Sequence, residues 1–301
     1  MSERQGGTRP CPIHLLASRH TITKSKKVRE SVFTAKRIFL SGASSGIGLA
    51  IAKLLVAQGH EVWGTSRNPE KIPALLRLHP LRLDLADPFS VDEAFNAALA
   101  EADHFDVLIN NAGSGHFGPA ENLSAEAIAN QFQVLVFGHL QLMKLAMPAM
   151  RSHGHGLIIN VTSLASRLPV PFMAAYNAAK AGMAAFTMSI QLELPDSRVR
   201  IVDLEPGDIC TEFNNAVNKS AQQDPRYEAS VAKTWTMVER NMAAAPKPES
   251  VARRVCALIE QTNPPPRVTV GDAFQSKIAP LIFRFLPQRV RIWGLKKYYG
   301  I

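Results

Sequence analysis

Strand and helix patterns alternate along these 301 residues. That alternation predicts an α/β fold: a doubly wound parallel sheet of about seven strands with helices on both faces. Two further observations support it. Hydrophobic residues make up 46% of the chain, enough for a large core. The first clear strand also runs straight into a glycine-rich turn and an apolar helix, the opening unit of such sheets.

Lys36 to Leu40 reads as that buried strand. Ser41-Gly42-Ala43-Ser44-Ser45-Gly46-Ile47-Gly48 follows at once, and Leu49 to Val56 forms the apolar helix, which stops near Gln58-Gly59. The glycine spacing is Gly-x-x-x-Gly-x-Gly. Glycines let backbone approach a pyrophosphate, which rests on free N–H groups at a helix N-terminus. Ser41 to Gly48 is therefore read as a dinucleotide-binding turn. Glu61 to Thr65 is the second strand, and Ser66-Arg67-Asn68 follows it. An acid at this strand end would bond the ribose 2′-OH of NAD, whereas a cation accommodates the 2′-phosphate of NADP. No acid stands here, and Arg67 is placed to fork onto a phosphate, so NADP(H) is favoured over NAD(H).

Phe105 to Ile109 is the fourth strand, and Gly156 to Ser163 the fifth. Met173 to Leu194 is a helix carrying Tyr176 and Lys180. Four residues of separation put these two side chains on one helix face, one turn apart. A lysine ammonium beside a phenol favours the phenolate and lowers the tyrosine pKa toward neutrality. Ser163, thirteen residues before the tyrosine, can hydrogen-bond the same substrate oxygen. The three residues read as a device for moving a proton on a carbonyl or an alcohol.

These motifs resemble those of the short-chain dehydrogenase/reductase family. The chain matches its glycine turn, with Ser41 in place of threonine. It also matches the Asn-Asn-Ala-Gly segment at Asn110 to Gly113, the Ser163, Tyr176 and Lys180 set, and Pro206-Gly207 with Thr211 beyond. The match runs from about residue 36 to about residue 272 and implies a single Rossmann-like domain. The resemblance further implies that Asp84 and Leu85 lie beside the adenine. Asn111, Ala112 and Gly113 would line the cofactor cleft, with Pro206, Gly207, Ile209 and Thr211 across it. In such a site Ser163 orients the carbonyl, Tyr176 is the acid/base, and Lys180 holds the nicotinamide ribose. Family members often pair through the helices around residues 126–151 and 173–194, so a homodimer or homotetramer is expected. One residue departs from the pattern. Leu135 stands where an asparagine usually completes a proton path to the lysine, and a leucine side chain cannot hydrogen-bond. A catalytically weakened nucleotide sensor or scaffold is therefore the alternative to an enzyme.

Pro206-Gly207 ends the sixth strand, and the next clear helix starts near Pro248. The span 207–248 is read as a substrate lid. Its Ile209, Phe213, Val217, Trp235, Met237, Val238 and Met242, with Leu164, Leu168, Val170, Phe172 and Met173, promise an apolar pocket. The expected substrate is a lipophilic ketone or aldehyde, or the matching alcohol.

The net charge of +9 sits at the chain ends, with +5 in residues 1–35 and +6 in residues 273–301. The near-neutral middle lacks the basic face of a nucleic-acid protein. Residues 1–34 are read as a disordered extension, with organelle targeting as the alternative. Residues 273–301 mix cations with Phe, Trp and Tyr, which fits either a peripheral membrane contact or a cover over the substrate cleft. Three dispersed cysteines fit a reducing, cytoplasmic location, and His153 and His155 are read as solvated loop residues rather than ligands of a metal.

Overall fold

A computed structural model describes residues 34–194, 198–219 and 224–301. The expected disordered extension lies outside the described residues, apart from Thr34. In chain order the first half holds β1 (Arg37–Leu40), α1 (Gly46–Ala57), β2 (Glu61–Ser66), β3 (Leu78–Arg82), α2 (Pro88–Ala102), β4 (Val107–Asn110), β5 (Gly115–Phe117), α3 (Ala125–Phe132) and α4 (Gly138–His153). The second half holds β6 (Gly156–Val161), α5 (Ala174–Glu193), β7 (Val199–Pro206), β8 (Val217–Lys219), α6 (Glu228–Ala244), α7 (Glu249–Ile259), β9 (Arg267–Val270), α8 (Ala279–Phe285) and α9 (Gln288–Tyr299).

Seven strands form one parallel sheet in the order β3-β2-β1-β4-β6-β7-β9. Side chains alternate across it. Ile38, Leu40, Val107, Ile109, Leu157 and Ile159 face one layer, packed by Ile51 and Leu55 of α1 and by Val251 and Val255 of α7. Phe39, Leu108 and Ile158 face the other, packed by Phe95 of α2, Leu142 and Met143 of α4, and Met183 of α5. Each fully buried large apolar side chain stabilises the fold by about 1.5–3 kcal/mol. Runs apolar at every position are what a strand covered on both faces requires.

The strand order reverses between β1 and β4, which opens a crevice at the carboxyl ends of these strands. Segments after β7 supply much of the lining above the crevice. A 3₁₀ turn at Glu212–Ala216 leads into β8, which pairs with β5 in a separate two-stranded sheet. α6 follows, and after β9 a π-helical turn (Phe274–Ile278) leads into α8 and α9. The span read as a lid thus has its own helix and strand, and residues 273–301 are helical.

Candidate active site

The glycine turn folds closely on its surroundings. Gly42 and Gly46 have φ of +77° and +53°, where a side chain is strained. A Cβ at Gly42 would lie 2.8 Å from the Ala112 Cα, and one at Gly48 would lie 1.8 Å from the Gly42 carbonyl oxygen. Asn111 locks the turn: its side-chain amide donates to the carbonyls of Ser41 at 3.0 Å and Gly42 at 3.2 Å. Ser45 precedes α1 without capping it through its side chain, so the first N–H groups of that helix are left for a ligand.

Ser44, Ser45, Gly46, Ile47, Gly48, Arg67, Asp84, Leu85, Asn111, Ala112 and Gly113 line one half of a single cleft of about 910 Å³. Gly42, Pro206, Gly207, Ile209 and Thr211 line it as well. Arg67 is exposed and has no hydrogen-bond or ion-pair partner among the described residues. Ser41 is the exception among the expected cofactor residues. It is fully buried behind the wall, where its hydroxyl accepts the Asn111 and Ala112 N–H groups at 2.9 and 3.0 Å. Its role here is to hold the turn, because its hydroxyl is spent on backbone.

Ser163, Tyr176 and Lys180 meet at the floor of the same cleft. Ser163 follows β6 and accepts the Ala165 N–H at 3.0 Å, which fixes its rotamer. Its hydroxyl also faces the phenol of Tyr176 and favours the phenolate. Lys180 is buried, and its ammonium donates to the Val161 carbonyl at 2.8 Å, 6.0 Å from the centre of the Tyr176 ring. The sequence argument has Lys180 lowering the phenol toward neutrality, and the structure reverses that sign. Burial pushes Tyr176 up to about 12, against the pull of the nearby Ser163 hydroxyl and with the Asp208 charge adding to it. Burial likewise pulls Lys180 down to about 8, partly opposed by the charge of Asp203. Desolvation here outweighs the pairing of the two side chains.

Leu135 is fully buried in the layer that holds α4 and α5, within a π-helical turn at Gln133–Phe137. One turn on, buried His139 sits between the Leu135 carbonyl, 3.4 Å from Nδ1, and the Ser41 hydroxyl, 3.3 Å from Nε2. Burial pushes His139 down to about 3, helped by the charge of Lys180, so the ring is neutral. The Leu135 carbonyl can only accept, so the proton of the neutral ring lies on Nδ1, and the Ser41 hydroxyl has both Nε2 and the Ile109 carbonyl, at 3.4 Å, within reach of its proton. His139 thus joins the glycine turn to the carbonyl of the position where asparagine was expected. Sequence reasoning missed it. The signal was a histidine four residues after Leu135, the spacing that puts both on one helix face.

The other half of the cleft is mainly apolar. Leu164, Leu168, Val170, Met173, Phe213, Val217, Trp235, Val238 and Met242 line it as the sequence suggests. Phe172 instead turns onto Phe117 and Tyr227, and Met237 of α6 does not line the cleft. The chain end supplies the rest, including Ile282, Phe283, Leu286, Leu295 and Tyr298. Two ties hold it there. Gln275 donates to the Asp208 carboxylate at 2.5 Å, and Asn241 of α6 donates to the Tyr298 hydroxyl at 2.9 Å. Asp208 and Gln275 were not singled out in the sequence, since nothing local marks them as partners 67 residues apart.

A cluster of His104, Asp106 and His153 lies at the opposite edge, before β4 and at the end of α4, with ligand atoms within 4.8 Å of one another. The rings of His104 and His153 stack at 3.7 Å, so their in-plane lone pairs run side by side rather than converging.

A glycine turn that admits no Cβ, uncapped helix N–H groups, and an unpaired arginine where a 2′-phosphate would sit together suit a dinucleotide. With a serine–tyrosine–lysine set at the floor, the fold and cleft define an oxidoreductase of the nicotinamide-dependent class. The chain belongs to the short-chain dehydrogenase/reductase family: the model of the short chain dehydrogenases matches residues 36–222. It is 30% identical over 266 residues to a 3-ketodihydrosphingosine reductase of Bacteroides thetaiotaomicron, covering 88% of this chain and 98% of that one. It is 31% identical over 217 residues to the uncharacterized oxidoreductase YbbO of Escherichia coli K12, covering 71% and 81%. Among solved structures, a short-chain dehydrogenase from Streptomyces avermitilis matches with a TM-score of 0.75 and 26% identity, over 89% of this chain and 97% of that one. A short chain dehydrogenase from Burkholderia cenocepacia in complex with NADP matches with a TM-score of 0.66 and 25% identity, over 86% and 96%.

Proposed function

We propose that this protein is an NADP(H)-dependent reductase of a lipophilic carbonyl, with Tyr176 as its acid/base. One observation carries the reading: the serine, tyrosine and lysine lie where the glycine-lined half of the cleft meets its apolar half. The bound nicotinamide supplies the hydride. Tyr176 gives its proton to the substrate oxygen, and Ser163 donates a second hydrogen bond to that oxygen. A phenol near 12 stands protonated at neutral pH, which is the form a reduction needs. The buried ammonium of Lys180 stabilises the phenolate left behind, because its charge acts through few solvent dipoles. His139 keeps the Leu135 carbonyl in place beside this path without taking a charge itself.

Arg67 supports NADP(H) over NAD(H), since it has no other partner to neutralise its charge among the described residues. The apolar half and the resemblance to a reductase of 3-ketodihydrosphingosine favour a ketone on a long alkyl chain. Exposed Ile128, Phe137, Phe186, Met188 and Leu192 on α3, the π turn and α5 support a homodimer or homotetramer through these helices. The free thiols of Cys210 and Cys256 suit a cytoplasmic enzyme, and no described helix is long and apolar enough to cross a membrane. Residues 273–301 add a peripheral membrane contact to this reading. The test is NADPH oxidation against long-chain, steroid and retinoid carbonyls and against sugars. Turnover of the long-chain ketones is expected; turnover confined to sugars would overturn the substrate assignment.

A further inference from the structure

The helices α8 and α9 each have two working faces. Inward, Ile282 and Phe283 of α8 and Leu295 and Tyr298 of α9 line the cleft. Outward, Leu281, Phe285, Ile292 and Trp293 stand 60%, 76%, 48% and 62% exposed. Spacings of four on α8 and of one on α9 put these four on the sides that do not line the cleft. Exposed Lys277, Arg284, Arg289, Lys296 and Lys297 flank them, and residues 273–301 hold no acid. The sixth cation of the segment, Arg291, is spent on structure: it donates to the carbonyls of Leu286 and Arg284 and so fixes the angle between the two helices.

We propose that this outward face docks on an anionic lipid bilayer and that the long-chain substrate enters the cleft from the bilayer through the α8–α9 lid. The entry route rests on the lipophilic-substrate reading above; the docking does not. A large aromatic and aliphatic patch rimmed by cations is the composition of an interfacial helix face. Each cation near an anionic surface strengthens partition about fivefold. A second copy of this chain is the poorer occupant. In a two-fold contact the same face meets itself, which would bring these cations together with no acid between them. The exposed apolar residues of α3 and α5 lie on other helices, so pairing of copies does not need this face. Lys297 sits 5.3 Å from the centre of the Trp293 ring, which keeps charge and apolar surface in one patch.

The experiment uses the purified full-length protein in flotation with vesicles of phosphatidylcholine, alone or with phosphatidylglycerol at about a two-to-one ratio. The expected result is flotation with the mixed vesicles only, lost at high salt. Phe285→Ser with Trp293→Ser, and separately Lys296→Glu with Lys297→Glu, should each weaken binding at least about tenfold. None of these residues lines the floor of the cleft, so turnover of a short water-soluble ketone should stay at the wild-type level. Turnover of a long-chain ketone carried in mixed vesicles should fall about tenfold in the same variants. Wild-type protein that stays with the buffer, or variants that float as well as wild type, would overturn the docking. Unchanged vesicle-borne turnover in variants that no longer float would overturn the entry route. A fall in molecular mass by light scattering in these variants, without vesicle binding by wild type, would assign the face to a second copy instead. Loss of turnover for every ketone with docking intact would sink the reductase reading and leave the docking standing.

Discussion

Replacing Lys180 with methionine should stabilise the cofactor-free protein while abolishing its chemistry. Lys180 is only 4% exposed, and its ammonium donates a hydrogen bond to the Val161 carbonyl at 2.8 Å. Burial brings it down to about 8, with the Asp203 charge opposing. An ordinary lysine titrates near about 10.4, and each pH unit of difference is worth about 1.4 kcal/mol. Keeping Lys180 charged at pH 7 therefore costs the fold about 3 kcal/mol. Methionine has a similar length, carries no charge, and forgoes a hydrogen bond of about 1 kcal/mol. The net gain is about 1–2 kcal/mol, or a rise in Tm of a few degrees at about 2–4 °C per kcal/mol.

The pH dependence has a definite sign. Below pH 8 the lysine is charged in both the folded and unfolded states, and the cost is full. Between about 8 and about 10.4 the folded protein gives up the proton that the unfolded chain keeps, so the wild type gains stability as pH rises. The advantage of the variant must shrink over that interval. Thermal melts of both proteins by circular dichroism, from about pH 7 to about pH 9.5, measure it directly. A variant less stable at pH 7, or an advantage that does not fall with pH, would refute the argument that desolvation dominates this site.

Three further outcomes follow from the cleft. Arg67→Ala should raise the KM for NADPH about 10- to 100-fold, the worth of one or two charge-assisted hydrogen bonds, and change that for NADH by less than about threefold. Gly48→Ala places a methyl 1.8 Å from the Gly42 carbonyl oxygen and 2.5 Å from the Asn111 amide, so nucleotide binding should weaken at least about tenfold and the fold should lose about 1–3 kcal/mol. Leu135→Asn should raise kcat if that position serves the proton path; unchanged turnover would take it out of the relay.

The sheet and the cleft were legible because their signals are local. Strand, glycine turn and helix stand within Lys36 to Gly59, and the Tyr176–Lys180 spacing shows its own helix face. The pairing of β5 with β8 was not legible. Each strand has three residues, and the partners are about a hundred positions apart, so no periodicity announces them. The place of residues 273–301 was only half legible. Its composition told of an apolar, basic segment, but which face meets the cleft depends on Gln275 reaching Asp208 and Tyr298 reaching Asn241. The phenol pKa went astray for a related reason. Spacing along a helix gives distance between two side chains, whereas the sign here is set by how much protein surrounds them.

The most direct measurement of the central claim is NADPH oxidation with a long-chain ketone by wild type and Tyr176→Phe, alongside dinucleotide affinity by fluorescence. Removing one hydroxyl should cut turnover about a thousandfold and leave the affinity within about twofold. A phenylalanine variant that keeps more than about a tenth of wild-type turnover would contradict the claim that this phenol carries the proton.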